Sequence, residues 1–224
     1  MSPRIKLGIL TPSSNTSLEP LTQALIANLP HVSVHFSRFR VLKIGLDGDG
    51  LDQFRNESII AAAQLLADAE VDMIGWSGTS SGWLGFEADE RLCADIAAAT
   101  GVPATTVCAG SEQGRWREAI VRTCATVGVD CSKERHLRLS KNSAFADIQE
   151  SVLDGVVGEV AGRKVQAITT FCTNLRAAQR VAYWEEVHGI PVFDTVATVV
   201  WEMLRVCKVD MKPLEAWGML FTKN

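Results

Sequence analysis

Histidine is scarce in this 224-residue chain, with four residues, and none of the six cysteines forms a Cys-x-x-Cys pair or has a histidine at zinc-ligand spacing. A metal site and a disulfide framework are both unexpected. There is no excess of basic charge, the formal net charge being −4, so nothing is available to track a phosphate backbone and nucleic acid is not an expected partner. No stretch approaches 18 uncharged apolar residues, and the apolar start from Met1 to Leu10 is too short for a signal sequence. Neither membrane spanning nor export is expected, and the chain reads as a cytoplasmic protein. Neither a glycine-rich dinucleotide fingerprint nor a P-loop is present, so no cofactor is implied.

What is present is an alternation of short β-rich runs with longer helical patterns, which indicates an α/β fold with parallel strands and crossover helices. Strands are predicted at residues 4–11, 32–38, 71–77 and 102–107, with helices at 14–28, 51–69 and 87–99. The later chain echoes that order. It predicts a helix over 113–126, a strand over 135–139, a helix over 143–160, a strand over 165–171, a helix over 175–188, a strand over 190–194 and a helix over 196–207.

The echo extends to single residues. Val71, Ile74 and Thr79 align without a gap on Val165, Ile168 and Thr173, and Gly101-Val-Pro103 recurs as Gly189-Ile-Pro191. Two pseudo-symmetric lobes follow, each a parallel sheet flanked by helices in the manner of a flavodoxin half, with an active site in the cleft between them. The lobe boundaries fall at 1–107 plus 195–224 for the first and 108–194 for the second. Between residues 107 and 113 the second copy is short of a helix and a strand, so its sheet is expected to hold three strands where the first holds four.

Three turns at carboxyl ends of strands carry the candidate chemistry. Pro12-Ser13-Ser14-Asn15-Thr16 brings hydroxyls, a carboxamide and backbone amides to the start of a helix. That suits a carboxylate ligand, and equally suits an ordinary helix cap. The second turn, Gly78-Thr79-Ser80, is again rich in hydroxyls. The third, Cys172-Thr173-Asn174, occupies the repeat position of the second and puts a thiol where a following helix could favour thiolate character. The other cysteines read as small buried hydrophobes. Trp76, Trp83, Leu84 and Phe86 are either pocket lining or core.

Taken in order, these motifs resemble the maleate cis-trans isomerase and arylmalonate decarboxylase branch of the aspartate/glutamate racemase superfamily, over nearly the whole chain. The resemblance implies a cofactor-independent enzyme with Cys172 as catalytic thiol. It places Pro12, Ser13, Ser14, Asn15, Gly78, Thr79, Ser80, Thr173 and Asn174 around a small carboxylate or dicarboxylate substrate. Racemases and maleate isomerases of this kind carry a cysteine in both central turns, whereas here the first position is Gly78. Arylmalonate decarboxylases share the glycine-then-cysteine arrangement, in which one thiol protonates an enediolate. The family's tyrosine has no counterpart, since Tyr183 lies elsewhere. Decarboxylation of a substituted malonate is therefore the leading expectation. One-thiol isomerisation of an unsaturated diacid, and carboxylate binding on a catalytically decayed scaffold, are the alternatives. Homo-oligomerisation is left open. Replacing Gly78 by cysteine would be expected to restore an acid/base on the second face, provided its side chain fits.

Overall fold

The strand Ile5-Lys-Leu-Gly-Ile-Leu is apolar almost throughout, as a strand buried on both sheet faces must be, and it forms the centre of the fold. The computed structural model describes residues 4–41, 56–78, 86–106, 125, 128–139, 141–162 and 164–222. Within them β1 (Ile5–Pro12) pairs in parallel with β2 (Val32–Phe39) on one side and β3 (Met73–Trp76) on the other. β3 in turn pairs with β4 (Ala104–Thr106), giving the order β2-β1-β3-β4.

Period-two alternation sends side chains from these strands to two cores. Leu7, Ile9 and Met73 face α1 (Leu18–Leu25) and α6 (Thr195–Val206), the last helix in the chain. Leu10, Ile74 and Trp76 face α2 (Asn56–Asp68) and α3 (Phe86–Thr100). A third core gathers α4 (Glu150–Val160) and α5 (Val181–His188) around the parallel pair β5 (Ile168–Thr170) and β6 (Val192–Asp194). Helix α6 packs on both sheets, and its cluster also takes in Phe171 and Phe193 from the second.

The repeat seen in the letters is repeated in hydrogen bonds. Ile74 N donates to Pro103 O and Ile168 N donates to Pro191 O, both at 2.8 Å, and Ile74 is paired with Ala104 as Ile168 is with Val192. Gly101 and Gly189 follow α3 and α5 with φ of +72° and +65°, the left-handed conformation that ends a helix at no cost to a residue without Cβ.

Three expectations need correction. Residues 135–139 form no strand: Arg138 has φ +54°, which interrupts an extended run. The second sheet thus has two strands among the described residues, where three were expected. The helix predicted over 143–160 opens instead as a 3-10 turn at Asn142–Asp147 and becomes α4 only after Ile148, whose ψ of 128° breaks it. Beyond Cys207, where no element was predicted, 3-10 turns at Lys212–Trp217 and Met219–Thr222 bury Leu214, Leu220 and Phe221 in the α1/α6 core. Their anchor is Glu185 of α5, whose carboxylate accepts from Val192 N at 2.9 Å and Met219 N at 2.8 Å. The helix predicted over 113–126 lies outside the described residues apart from Ala125.

The seating of α6 on β3 depends on Gly75, where an added Cβ would lie 2.5 Å from Met203 Sδ and 2.8 Å from Val199 Cγ1. Gly75→Ala is expected to destabilise the protein by about 1–3 kcal/mol through overpacking. Urea unfolding checks this, and a loss within experimental error would mean that α6 is not seated as described.

Candidate functional site

The turn after β1 is shaped by hydrogen bonds that fix it before any ligand arrives. Arg38 on β2 donates through Nη1 to Ser13 O at 2.8 Å and Asn15 O at 3.1 Å, and its guanidinium is held in turn by Glu19, 2.7 Å away. Ser13 and Ser14 both donate to Val41 O, Ser13 Oγ also accepting from Val41 N at 3.1 Å. Pro12 closes β1 itself. The expected helix over 14–28 begins at Leu18, because Asn15 Oδ1 accepts from Ser17 N at 3.0 Å and Leu18 N at 2.9 Å and so caps it.

From this turn the chain reaches directly across to Cys172-Thr173-Asn174. Asn15 Nδ2 donates to Thr173 Oγ1 at 3.1 Å. Asn174 Oδ1 accepts from Thr16 N at 2.9 Å and Ser17 N at 3.1 Å, and Asn174 O accepts from Ser17 Oγ at 3.0 Å. The amides that could have held a carboxylate at the start of α1 are thus taken by Asn15 and Asn174. Asn142, which sequence reasoning passed over, completes the joint: its Nδ2 donates to Ser14 Oγ at 2.9 Å and its carbonyl accepts from Asn174 Nδ2 at 2.7 Å. An asparagine just before the predicted helix start at 143 was the signal for it, since that residue type favours such positions.

Cys172 follows β5 and is buried in the third core. Burial pushes its thiol up to about 12, against the amides of Asn174 and Leu175, which favour the thiolate, while the nearby Asp194 carboxylate raises it further. The expected thiolate character is therefore corrected. The residues after Asn174 form turns and α5 starts only at Val181, so the helix expected over 175–188 does not begin at the sulfur. Asp194 is also buried and raised by that burial; it accepts from Thr170 Oγ1 at 2.7 Å and from Val196 N at 2.8 Å, capping α6.

Gly78 lies just beyond β3, whose end stays bonded to β1, Ser77 N donating to Leu10 O at 3.3 Å. A cysteine at Gly78 has no room: an added Cβ would stand 2.3 Å from Cζ2 of the fully buried Trp76. Thr79 and Ser80, with Trp83 and Leu84, lie outside the described residues. Three further hydroxyls at carboxyl ends of strands, Thr11 Oγ1, Ser77 Oγ and Thr195 Oγ1, are buried without a hydrogen-bond partner among the described residues. Among the described residues no cluster of His, Cys, Asp and Glu is placed to hold a metal ion, and no helix is long and apolar enough to cross a membrane.

No protein-family model matches the chain, and no curated protein does. Solved structures do. The maleate isomerase Iso from Pseudomonas putida S16 with maleate matches with a TM-score of 0.85 and 20% identity, covering 97% of both chains. A Nocardia farcinica maleate cis-trans isomerase variant with a covalently bound succinylcysteine intermediate gives 0.87 and 18%, covering 98% of this chain and 99% of that one. A double mutant of arylmalonate decarboxylase in its liganded form gives 0.84 and 18%, covering 99% and 100%. The chain has the fold that these isomerases and decarboxylases share.

Two outcomes follow from the geometry. Asn174→Ala should cost about 2–4 kcal/mol, the loss of a helix cap together with buried amides left unpaired, as read from denaturant unfolding; an unchanged midpoint would show that the joint carries no stability. A thiol raised in the folded state stabilises fully below the unfolded value near 9.0 and loses that contribution as pH climbs towards about 12. Melting temperature should therefore fall above pH 9 more steeply in the wild type than in Cys172→Ala, and parallel curves would contradict the burial of the thiol.

Proposed function

We propose that the chain is a cofactor-independent lyase that decarboxylates a substituted malonate and protonates the resulting enediolate from Cys172. The observation that carries this reading is the burial of the Cys172 thiol in the third core, which favours its neutral form. Covalent addition to an unsaturated diacid needs a thiolate, whereas protonation of a carbanion needs the thiol. The covalent succinylcysteine seen in the Nocardia farcinica isomerase belongs to the first chemistry; a buried Cys172 thiol, with glycine at the other cysteine position, suits the second.

In the proposed reaction the bond between Cα and one carboxyl carbon breaks and carbon dioxide leaves. The electron pair spreads from Cα into the remaining carboxylate, forming an enediolate. Cα then takes the Cys172 proton, and the thiolate recovers a proton from water. The unpartnered hydroxyls of Thr11, Ser77 and Thr195 support this reading, because each is a donor free to meet developing negative charge. Thr11 and Ser77 are neighbours on adjacent strands, on the face that α6 covers, and Thr195 shares one helical stripe with Val199 and Met203, which touch that face at Gly75. Thr173, Thr79 and Ser80 are assigned to the same substrate, and Pro12, Ser13, Ser14, Asn15 and Asn174 to the wall that shapes its pocket. Residues 1–107 plus 195–224 are assigned to one lobe and 108–194 to the other, with the substrate between them.

Incubation with phenylmalonate, alkylmalonates and maleate, followed by carbon dioxide release and product analysis, tests the proposal. Cys172→Ser should fold and lose on the order of 10²- to 10⁴-fold in turnover, the usual contribution of a general acid. Near wild-type turnover in that variant, or isomerisation of maleate without decarboxylation of any malonate, would overturn it.

A further inference from the structure

Gly78 is the position at which two-thiol relatives are expected to carry their other cysteine, and the structure shows what stands there instead. An ideal Cβ on Gly78 would lie 2.3 Å from Cζ2, 2.7 Å from Cε2 and 2.9 Å from Cη2 of Trp76. Gly78 is absent from the described residues with positive φ, so space and not backbone conformation is what demands glycine. The indole cannot easily step aside. It is wholly buried at the end of β3 and stacks at a tilt on Phe39, with ring centroids 5.1 Å apart.

Its N–H is the informative atom. Nε1 is buried and has no hydrogen-bond partner among the described residues, although a buried tryptophan N–H ordinarily finds an acceptor and is costly to leave without one. Nε1 is bonded to Cε2, one of the three atoms crowding the empty Cβ position. The unpaired donor therefore borders the position that a second thiol's Cβ would take, which the indole itself fills. Ser77, next to Gly78, donates through its N–H to Leu10 O of β1, and the turn after β1 is bonded to Thr173 beside Cys172.

We propose that the Trp76 indole N–H donates a hydrogen bond to a carboxylate oxygen of the diacid substrate on the Gly78 side of the site. The inference rests on the proposed function. It puts a donor that binds charge where two-thiol relatives have a group that moves protons. Indole N–H is a far weaker acid than a thiol and does not ionise in neutral water, so that side holds the substrate and Cys172 protonates it. Trp76 is thereby a substrate-binding residue and the steric reason that no second acid/base can be accommodated at Gly78.

The test uses the full chain with ¹⁵N-labelled indoles. The Trp76 cross-peak is assigned by its loss in Trp76→Phe or, should that variant not fold, by nuclear Overhauser effects to the Phe39 ring. Titration with phenylmalonate, with binding followed independently by calorimetry, should shift this N–H downfield. Trp76→Phe, when folded, should bind phenylmalonate roughly 10- to 100-fold more weakly, the usual loss of a hydrogen bond to a charged group. Calorimetric binding with the Trp76 N–H unmoved, or a folded Trp76→Phe with unchanged affinity, overturns this inference and leaves the proposed function standing. A wild-type protein that binds neither phenylmalonate nor any other malonate or maleate overturns the proposed function and this inference with it.

Discussion

Asn174 is the residue on which the arrangement of the site turns. Its side chain is buried and works at both ends: the oxygen accepts from two amides at the start of α1, and the nitrogen holds the Asn142 carbonyl. A carboxamide is suited to this because it accepts and donates at once without a charge to desolvate. Asp would lose the donor and Ala would lose both. Since Asn174 sits two residues after Cys172, the same amide that joins the β1 turn to the β5 turn also fixes where the thiol stands.

The thiol's chemistry then follows from what surrounds it. Two backbone amides favour the charged form, but removal from water dominates, and a buried carboxyl at Asp194 adds to it. A cysteine in this setting is a weak nucleophile and a reluctant thiolate. Protonating a carbon base far stronger than itself remains open to it, because a thiol is a much stronger acid than the carbon–hydrogen bond it makes. The same turn on a helix N-terminus would favour the opposite chemistry.

Much of this was legible in the letters, for identifiable reasons. Strands such as Ile5–Pro12 are apolar on both faces and could be read directly, and the paired Gly-x-Pro segments revealed a duplication that the matching Ile74 and Ile168 hydrogen bonds display. The fold expected from the motif order is the fold found in structures with 18–20% identity. What escaped was long-range. Residues 135–139 have a strand's composition, but a left-handed Arg138 interrupts them. Asn142 and Arg38 shape the β1 turn from 128 and 25 residues away. The thiolate expectation failed because local sequence places a cysteine before a helical pattern, while the first helical residues there, as the chain folds, are Ala178 and those after it. Nor does spacing reveal that Trp76 folds back over Gly78.

The closing helix α6 and the turns after it have a consequence for how the chain comes to be folded. They supply Val196 to Leu204, Leu214, Leu220 and Phe221 to the core that covers Leu7 and Ile9 of the first strand. During synthesis the sheet begun by residues 5–12 must wait, one apolar face covered only in part by α1, until residues 195–222 have left the ribosome. Contacts of such sequence separation close slowly, since the loop entropy is spent before they form. The intermediate that waits presents Leu7, Ile9 and Met73 to its surroundings, so the nascent chain is at its most aggregation-prone just before residues 195–222 emerge.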